Sequence, residues 1–307
     1  MDDVDIELIK LLSSNGKLSA EKLGKEVGLT GNAVASRMKK MEESGVIMGL
    51  RTEVNLSLIG FKSAVFFCET DIEVLEKAIP AISTLPYLRW LVAGLDGKIL
   101  LQTVSDSSSS FENHGKELSA KLGGKYAVNG PLFVATKESK TATLSSLDVT
   151  IIGAVMRNPN FDGHDIANKT NLVPRTVNKR LRRLIREGVV SFGVDFDLSK
   201  MSGYIPYHVL VMHGLENHLA FFDSLPEETR NSILWRRPLS GGVDLMALCG
   251  RTFNEVGRDV TSIAQNDLVR SYEIIFPWMV FRPHPLRWWN MFAHTTSSRH
   301  TARVYPV

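Results

Sequence analysis

The stretch VPRTVNKRLRRLIREGVV, residues 173–190, places six arginines and lysines in the twelve positions from Arg175 to Arg186, yet keeps an apolar residue at every turn. Val177, Leu181 and Leu184 recur at spacings of four and three, which commits one helix face to a core. The side chains of Arg175, Thr176, Lys179, Arg182, Arg183 and Arg186 then point mostly away from that core. Such a surface is either a solvated helix face or one shaped to meet phosphate. The surrounding sequence has to decide.

The decision comes from a repeat. VDIELIKLLSSNGKLSAEKLGKEVGLTGNAVASRMKKMEESGVI, from Val4, lies over LDVTIIGAVMRNPNFDGHDIANKTNLVPRTVNKRLRRLIREGVV, from Leu147, without a gap. Asp5 meets Asp148, Val34 meets Val177, Arg37 meets Arg180, and Gly45-Val46 meets Gly188-Val189. The chain is a tandem duplication. Each copy reads as three short helices. In the first, Ser19 and Thr30 can cap the second and third helices and Gly28 can end the second. In the second, Val173 replaces the capping threonine but Pro174 falls at the first helical position, where a missing N–H is tolerated. The basic helix is thus the third of a tri-helical unit followed by a polar passage expected to form a strand pair. A winged helix-turn-helix presents its recognition helix to the major groove at that place.

After each unit comes a mixed region. SAVFFCE, EVLEKAIPAIS, YLRWLVAGLDGKILLQTV, SFENHGKELSAKL and YAVNGPLFVAT read as strand, helix, hairpin, helix and strand. YHVLVMH, NHLAFFDSL, SILWRRPLSGGVDLMALC, TFNEVGRDVTSIA and VRSYEIIFPWMVF repeat the order, with Trp90 and Trp235 at matching points. This is the ferredoxin-like βαββαβ order. The expected fold class is α+β, two winged helix-turn-helix units alternating with two ferredoxin-like domains. The expected boundaries are 1–60, 61–137, a linker at 138–146, 147–203, 204–283 and a basic aromatic tail at 284–307. Apolar residues on both faces of AVFFCE and YHVLVMH call for a sheet covered on both sides, so the two ferredoxin-like domains are expected to pair within the chain as a pseudo-dimer. Further homo-oligomerisation through another surface stays open.

Composition is compatible with this. At 307 residues, 44% of them hydrophobic, the chain can build several cores, and it has no apolar run long enough to span a membrane. The acidic opening MDDVDIELIK lacks the order of a secretory signal, and Cys68 and Cys249 lie in apolar strand-like runs as expected of reduced core residues, so a cytoplasmic protein without membrane partners is expected. The net charge of +3 argues little by itself. Its distribution argues more: residues 1–50 hold seven Lys/Arg against eight Asp/Glu, and residues 147–196 hold eight against five. The second unit should therefore be the stronger binder of duplex DNA. In the first unit Asn32, Ser36, Lys39 and Lys40 are the expected contacts, with Glu42 and Glu43 opposing them. Arg37 and Arg180, flanking the apolar stripe, either join the contact surface or brace the fold.

Residues 2–61 resemble the leucine-responsive/AsnC family of transcription regulators in the opening aspartate helix, the LGKEVGLT turn and the EESGVI exit. Residues 147–204 are similar but more divergent. VAGLDGKILLQTV and SGGVDLMALC resemble the glycine-rich hairpin beside that family's effector site. The resemblance implies a small-molecule effector, often an amino acid. The matching residues would be Gly94, Asp96 and Gly97 in the first copy and Ser240, Gly241, Gly242 and Asp244 in the second. These are also ordinary turn formers. Bulky Leu95 and Lys98 around the first turn favour the second as the effector site.

No enzyme is expected and no cofactor or metal is called for. The eight histidines contain no HExxH arrangement; His208 and His213, five apart in a strand, face opposite sides; and no nucleophile elbow, phosphate loop or dinucleotide fingerprint occurs. The alternative is a siroheme (tetrapyrrole) decarboxylase-like enzyme, because those enzymes resemble this chain in their two-domain plan. Their histidine-containing strand motif is missing, and ILWRRPLSGG occupies the comparable region. Arg236 and Arg237 there could hold carboxylates or serve an interface. In the tail, Trp288 and Trp289 are expected to pack on the core or on a partner, and the stretch after His294 to be mobile.

Overall fold

The computed structural model describes residues 1–126, 128–135 and 141–299. The first half runs α1 (Asp3–Ser14), α2 (Ala20–Val27), α3 (Gly31–Glu43), β1 (Ile47–Val54), β2 (Lys62–Glu69), α4 (Ile72–Ser83), β3 (Leu88–Gly94), β4 (Lys98–Ser105), α5 (Ser109–Lys121) and β5 (Val128–Phe133). The second half follows as α6 (Ser146–Arg157), α7 (Gly163–Thr170), α8 (Pro174–Arg186), β6 (Val190–Phe196), β7 (Ile205–Met212), α9 (His218–Ser224), α10 (Glu227–Ser232), β8 (Ile233–Leu239), β9 (Val243–Gly250), α11 (Phe253–Ala264) and β10 (Ser271–Ile275). It ends with β11 (Pro277–Phe281) and α12 (Leu286–Arg299). Residues 138–140 of the expected linker lie outside the described residues.

Local chemistry sets the helical units. Asp2 and Asp5 form a capping box at the head of α1, and Ser145 and Asp148 form its counterpart on α6. Ser19 accepts from the Lys22 N–H and Thr30 from the Ala33 N–H, as their positions predict. Gly28 closes α2 in the left-handed region at φ 71°, and Asn171 does the same for α7 at φ 53°. α8 begins at Pro174 with no side-chain cap. All three helices of the second unit match those of the first residue for residue in the ungapped alignment.

Each mixed region forms an antiparallel sheet, β5-β2-β4-β3 and β10-β7-β9-β8, the order of a ferredoxin-like fold. Helices cover one face of each. On the first sheet Leu75, Ile82, Phe111 and Leu118 pack on Phe66, Leu91 and Leu101; on the second Phe221, Val256 and Ile263 pack on Tyr207, Val209 and Met246. The opposite faces meet each other. Val65, Phe67, Trp90, Val92 and Leu100 share one buried cluster with Leu210, Leu239, Val243, Leu245 and Ile275. This alternation along β2 and β7 is the reason both strands are apolar on two sides.

Three features depart from the sequence expectation. The passage after each helical unit supplies a single strand, not a strand pair, and β1 pairs antiparallel with β6 across the two halves. VRSYEIIFPWMVF is not one strand. It breaks at Phe276, so that β10 stays in the second sheet and β11 crosses to pair with β3 in the first. On the other side Val134, just past β5, bridges to Leu239 of the second sheet. The two sheets are thus laced at both edges, which leaves fewer unpaired strand edges. NHLAFFDSL forms α9 as expected, but a further short helix, α10, follows at Pro226, where the sequence reads only as the approach to the hairpin.

The halves interlock beyond the sheets. The core of α1–α3 takes in Val194, Phe196, Leu198 and Met201 from the second half, while Val54, Leu56 and Ile59 of the first half pack with Ile152, Met156 and Leu184 of the second. The Gly16 N–H donates to the Phe192 carbonyl at 2.8 Å, and a Cβ on Gly16 would stand 2.5 Å from the Gly193 carbonyl carbon. Trp288, Trp289 and Phe292 of α12 are buried in the Ile152–Met156 cluster. The expectation of mobility after His294 falls mainly outside the described residues. Cys68 and Cys249 are free and buried, and no described helix is long and apolar enough to cross a membrane.

Candidate functional site

The core side of α8 is fixed by Val177 and Leu184, both fully buried. Arg175, Lys179, Arg182 and Arg186 stand exposed on its other faces, and Thr176 is half-buried. Arg183 differs. Its guanidinium lies 2.7 Å from the Asp148 carboxylate and 3.7 Å from Glu187. Arg180 also reaches Asp148, at 3.0 Å, and takes the Ser145 hydroxyl at 2.8 Å. In the first unit Arg37 holds Asp2 at 2.7 Å and Asp5 at 2.9 Å. Arg37 and Arg180 therefore brace the third helix of each unit to the head of the first. Asn32, Ser36, Lys39 and Lys40 are exposed on α3, with Lys39 3.8 Å from Glu43.

The second hairpin turn brings Ser240, Gly241 and Gly242 together, with Asp244 on the strand that follows. Their contacts are with the chain itself. The Ser240 hydroxyl accepts from the Phe133 N–H at 2.9 Å, and the Ser240 N–H donates to the Phe133 carbonyl. Gly242, at φ 69°, accepts through its carbonyl from the N–H groups of His213 and Gly214, and a Cβ there would lie 2.4 Å from Gly214 Cα. Asp244 is fully buried. One carboxylate oxygen meets His213 Nε2 at 2.8 Å and His218 Nδ1 at 2.9 Å, and the other takes Arg236 Nε at 2.8 Å. Two imidazoles and a carboxylate could converge on a cation. Here the Arg236 guanidinium already neutralises the carboxylate and would oppose one.

A cavity of about 280 Å³ opens between the two sheets and beneath the β1–β6 pair. Arg51, Arg89, Arg236, Arg237 and Arg282 all line it, as do Glu53 and Asp195. These arginines are half-buried by surface yet closely surrounded by protein, because the surface they keep opens into the cavity. Arg51 pairs with Glu53 and, at 2.7 Å, with Asp195; Arg282 reaches Asp195 at 3.2 Å. Arg237 donates to the Gln102 side-chain carbonyl at 3.1 Å, a polar contact from one sheet to the other. Arg89 stacks 5.4 Å from the Trp288 ring. Burial, reinforced by neighbouring guanidiniums, pulls Arg89 and Arg282 down to about 10.

His208 lies on the same wall, 5.6 Å from Trp235, with its Nδ1 buried and without a partner among the described residues. Burial and the nearby Arg282 push it down to about 4, so it is neutral at physiological pH. His213 points to the helix side of the sheet, stacked 4.5 Å from Phe221, so the two histidines do face opposite ways. Sequence reasoning singled out Arg236 and Arg237 but missed Arg51, Arg89, Arg282 and the cavity role of His208. The signal available was a lone cation inside an apolar strand, as in YLRWLV and MVFRP, which has to find an unusual environment.

These features define a class: helix-turn-helix proteins whose reading units ride on face-to-face ferredoxin-like sheets. Residues 1–42 match the AsnC-type helix-turn-helix domain, and residues 144–191 match a winged helix-turn-helix DNA-binding domain. The leucine-responsive regulatory protein of Rhizobium meliloti (strain 1021) is 30% identical over 122 residues, covering 37% of this chain and 76% of that protein. The HTH-type transcriptional regulator LrpA of Bacillus subtilis (strain 168) is 39% identical over 66 residues, covering 22% of this chain and 48% of that one. The chain belongs to the leucine-responsive/AsnC family. Among solved structures, the siroheme decarboxylase NirDL superposes over 97% of this chain and 99% of its own, with a TM-score of 0.56 and 13% identity. At that identity the likeness shows the fold alone.

Proposed function

We propose that the protein is a sequence-specific DNA-binding transcription regulator acting in the cytoplasm, with the helical units of residues 1–60 and 147–203 as two non-identical readers. The ferredoxin-like regions, 61–137 and 204–283, are the assembly and sensing parts. The observation that carries this is the exposed basic face of α8, where Arg175, Lys179, Arg182 and Arg186 are free of the core while Val177 and Leu184 anchor the helix. Two different readers on one chain suit an asymmetric site better than a palindrome. The test is a salt titration of duplex binding. Replacing those four residues with alanine weakens binding and flattens log K against log salt by about one unit for each phosphate contact removed. Unchanged affinity and slope contradict the proposal.

A small-molecule effector is part of the proposal and acts through the second half. Ser240, Gly241 and Gly242 shape the turn after β8, and Asp244 fixes Arg236, so together they set the strand that carries Arg237 to the cavity. Pairing of the two sheets inside one chain replaces pairing between two chains, and assembly of further copies would use another surface.

A second reading, a siroheme decarboxylase-like enzyme, is favoured by one observation: the arginine-lined cavity with neutral His208 lies in a fold that matches NirDL over nearly its full length. It requires that a tetrapyrrole with carboxylate arms bind there. An absorbance titration with uroporphyrin distinguishes the two. A saturable spectral change supports the enzyme, and its absence together with salt-dependent duplex binding supports the regulator.

A further inference from the structure

We propose that the cavity between the two sheets binds a small organic dicarboxylate, held by Arg89 and Arg237, and that this molecule is the effector of the regulator. The inference rests on the regulatory reading and names its ligand.

Charge is the first argument. Five guanidiniums line the cavity. Asp244 neutralises Arg236, while Glu53 and Asp195 serve Arg51 and Arg282. Arg89 and Arg237 are left without a carboxylate at ion-pair distance among the described residues. A buried charge without a counter-charge is expensive and normally finds one. Both arginines are depressed in the same direction, by burial first and also by neighbouring guanidiniums, and Glu53, which is not at ion-pair distance from either, only partly offsets this. A ligand with two negative charges balances the site.

Chemistry and size narrow the ligand. Arg89 comes from β3 of the first sheet and Arg237 from β8 of the second, so two separate anionic groups fit better than one concentrated charge. The planar guanidinium fork matches a carboxylate in two-point contact. Trp90 and Trp235 flank the space, and the unpartnered Nδ1 of His208 offers one further polar contact. At about 280 Å³ the cavity falls at the small end of ligand sites, room for a short diacid and tight for a macrocycle.

The position supplies a route to regulation. The cavity walls include both sheets and, through Arg51 and Asp195, the β1–β6 pair that connects the two helical units. A diacid bridging Arg89 and Arg237 therefore favours one setting of the halves, and binding that differs between settings shifts the equilibrium between them.

The experiment is thermal unfolding of the full chain, without DNA, in malonate, succinate, glutarate or phthalate, against sodium chloride, acetate and inorganic phosphate at equal ionic strength. At least one diacid is expected to raise Tm saturably while the controls do not. Arg89→Gln and Arg237→Gln are each expected to leave the ligand-free Tm unchanged or higher, because a repelling charge is removed, and to weaken the diacid effect at least tenfold. Using one variant from each sheet keeps the test valid if the other fails to fold. The proposal is overturned if no diacid exceeds the chloride control, if phosphate acts as well as the diacids, or if the diacid effect survives in both variants. It is also overturned if uroporphyrin, and no diacid, stabilises the chain. Since no DNA is present, failure here leaves the duplex-binding result untouched, and failure of duplex binding leaves this result standing.

Discussion

Arg183 reaches back from α8 to within 2.7 Å of Asp148, a carboxylate almost wholly buried at the head of α6. Burial works to raise the Asp148 pKa, yet hydrogen bonds from Ser145 and Arg180 and the Arg183 ion pair prevail and hold it below the usual carboxylate range. A residue that looks in the sequence like one more phosphate contact is thus partly a brace. Arg183→Ala is expected to lower unfolding stability by about 1 kcal/mol, less than the roughly 1.5–3 kcal/mol of a hydrogen bond to a charged group, because the guanidinium is partly exposed and meets Asp148 as an ion pair. Arg182→Ala, on the exposed face, is expected to stay within about 0.5 kcal/mol of the parent. Urea unfolding of the two variants side by side checks this, and equal losses would remove the distinction.

The two reading helices should contribute unequally to DNA affinity. Lys39 and Lys40 share α3 with Glu42 and Glu43, and Lys39 lies 3.8 Å from Glu43. Among the described residues Arg182 and Arg186 have no acidic group at ion-pair distance, and Glu187, which follows Arg186 at the end of α8, faces Arg183. The paired change Lys39→Ala with Lys40→Ala should therefore reduce affinity for one duplex by less than Arg182→Ala with Arg186→Ala. Competition binding at a single stated salt concentration decides it. A larger effect in the first unit would reverse the ranking.

The duplication, the caps and the element order were legible because each is written locally: Ser19, Thr30 and Gly28 act on their own helix ends. Contacts between the halves were not. Nothing local in FGVDFDL distinguishes a wing from a strand that pairs with its counterpart from the other half, and FPWMVF shows no sign that it leaves one sheet for the other. The turn at Ser240–Gly242 shows the same limit. Its small residues signal close backbone approach, and the backbone that approaches in the structure is that of Gly214. Gly242→Leu is therefore a poor probe of ligand binding, since it would disturb the turn whatever the ligand does. Arg89 and Arg237 could be seen as unusual strand cations, but that they face one space follows only from the packing of the two sheets.

The tail is part of the second helical unit's support. Trp289 is buried against α6, and a Cβ on Gly153 would stand 3.1 Å from its indole nitrogen. Trp289→Ala is expected to destabilise the protein by about 3–5 kcal/mol, the usual range for emptying a buried aromatic site. Gly153→Ala should have a smaller effect, because the indole has to shift only by a few tenths of an ångström. Urea unfolding followed by circular dichroism measures both. If Trp289→Ala behaves like a surface change, the tail does not hold the unit.

Acid should weaken the fold in a window set by two buried histidines. His208 is pushed down to about 4 by burial and by Arg282, and His114 to about 4 by burial against the opposing pull of Glu117. In the unfolded chain both take up a proton near the ordinary value of 6.5. Between pH 6.5 and about 4 the unfolded state thus binds more protons than the folded state, so stability is present above that window and falls as pH drops through it. Below about 4 both states are protonated and these two sites add no further loss. Each can contribute on the order of 3 kcal/mol across the window. Carboxylates begin to titrate at its lower end, so the comparison has to be with variants. His114→Gln and His208→Gln, unfolded in urea at a series of pH values, should each flatten the dependence between pH 6.5 and 4, and the double variant should flatten it most. A double variant with the parent's full slope would show that neither histidine is held neutral in the folded protein.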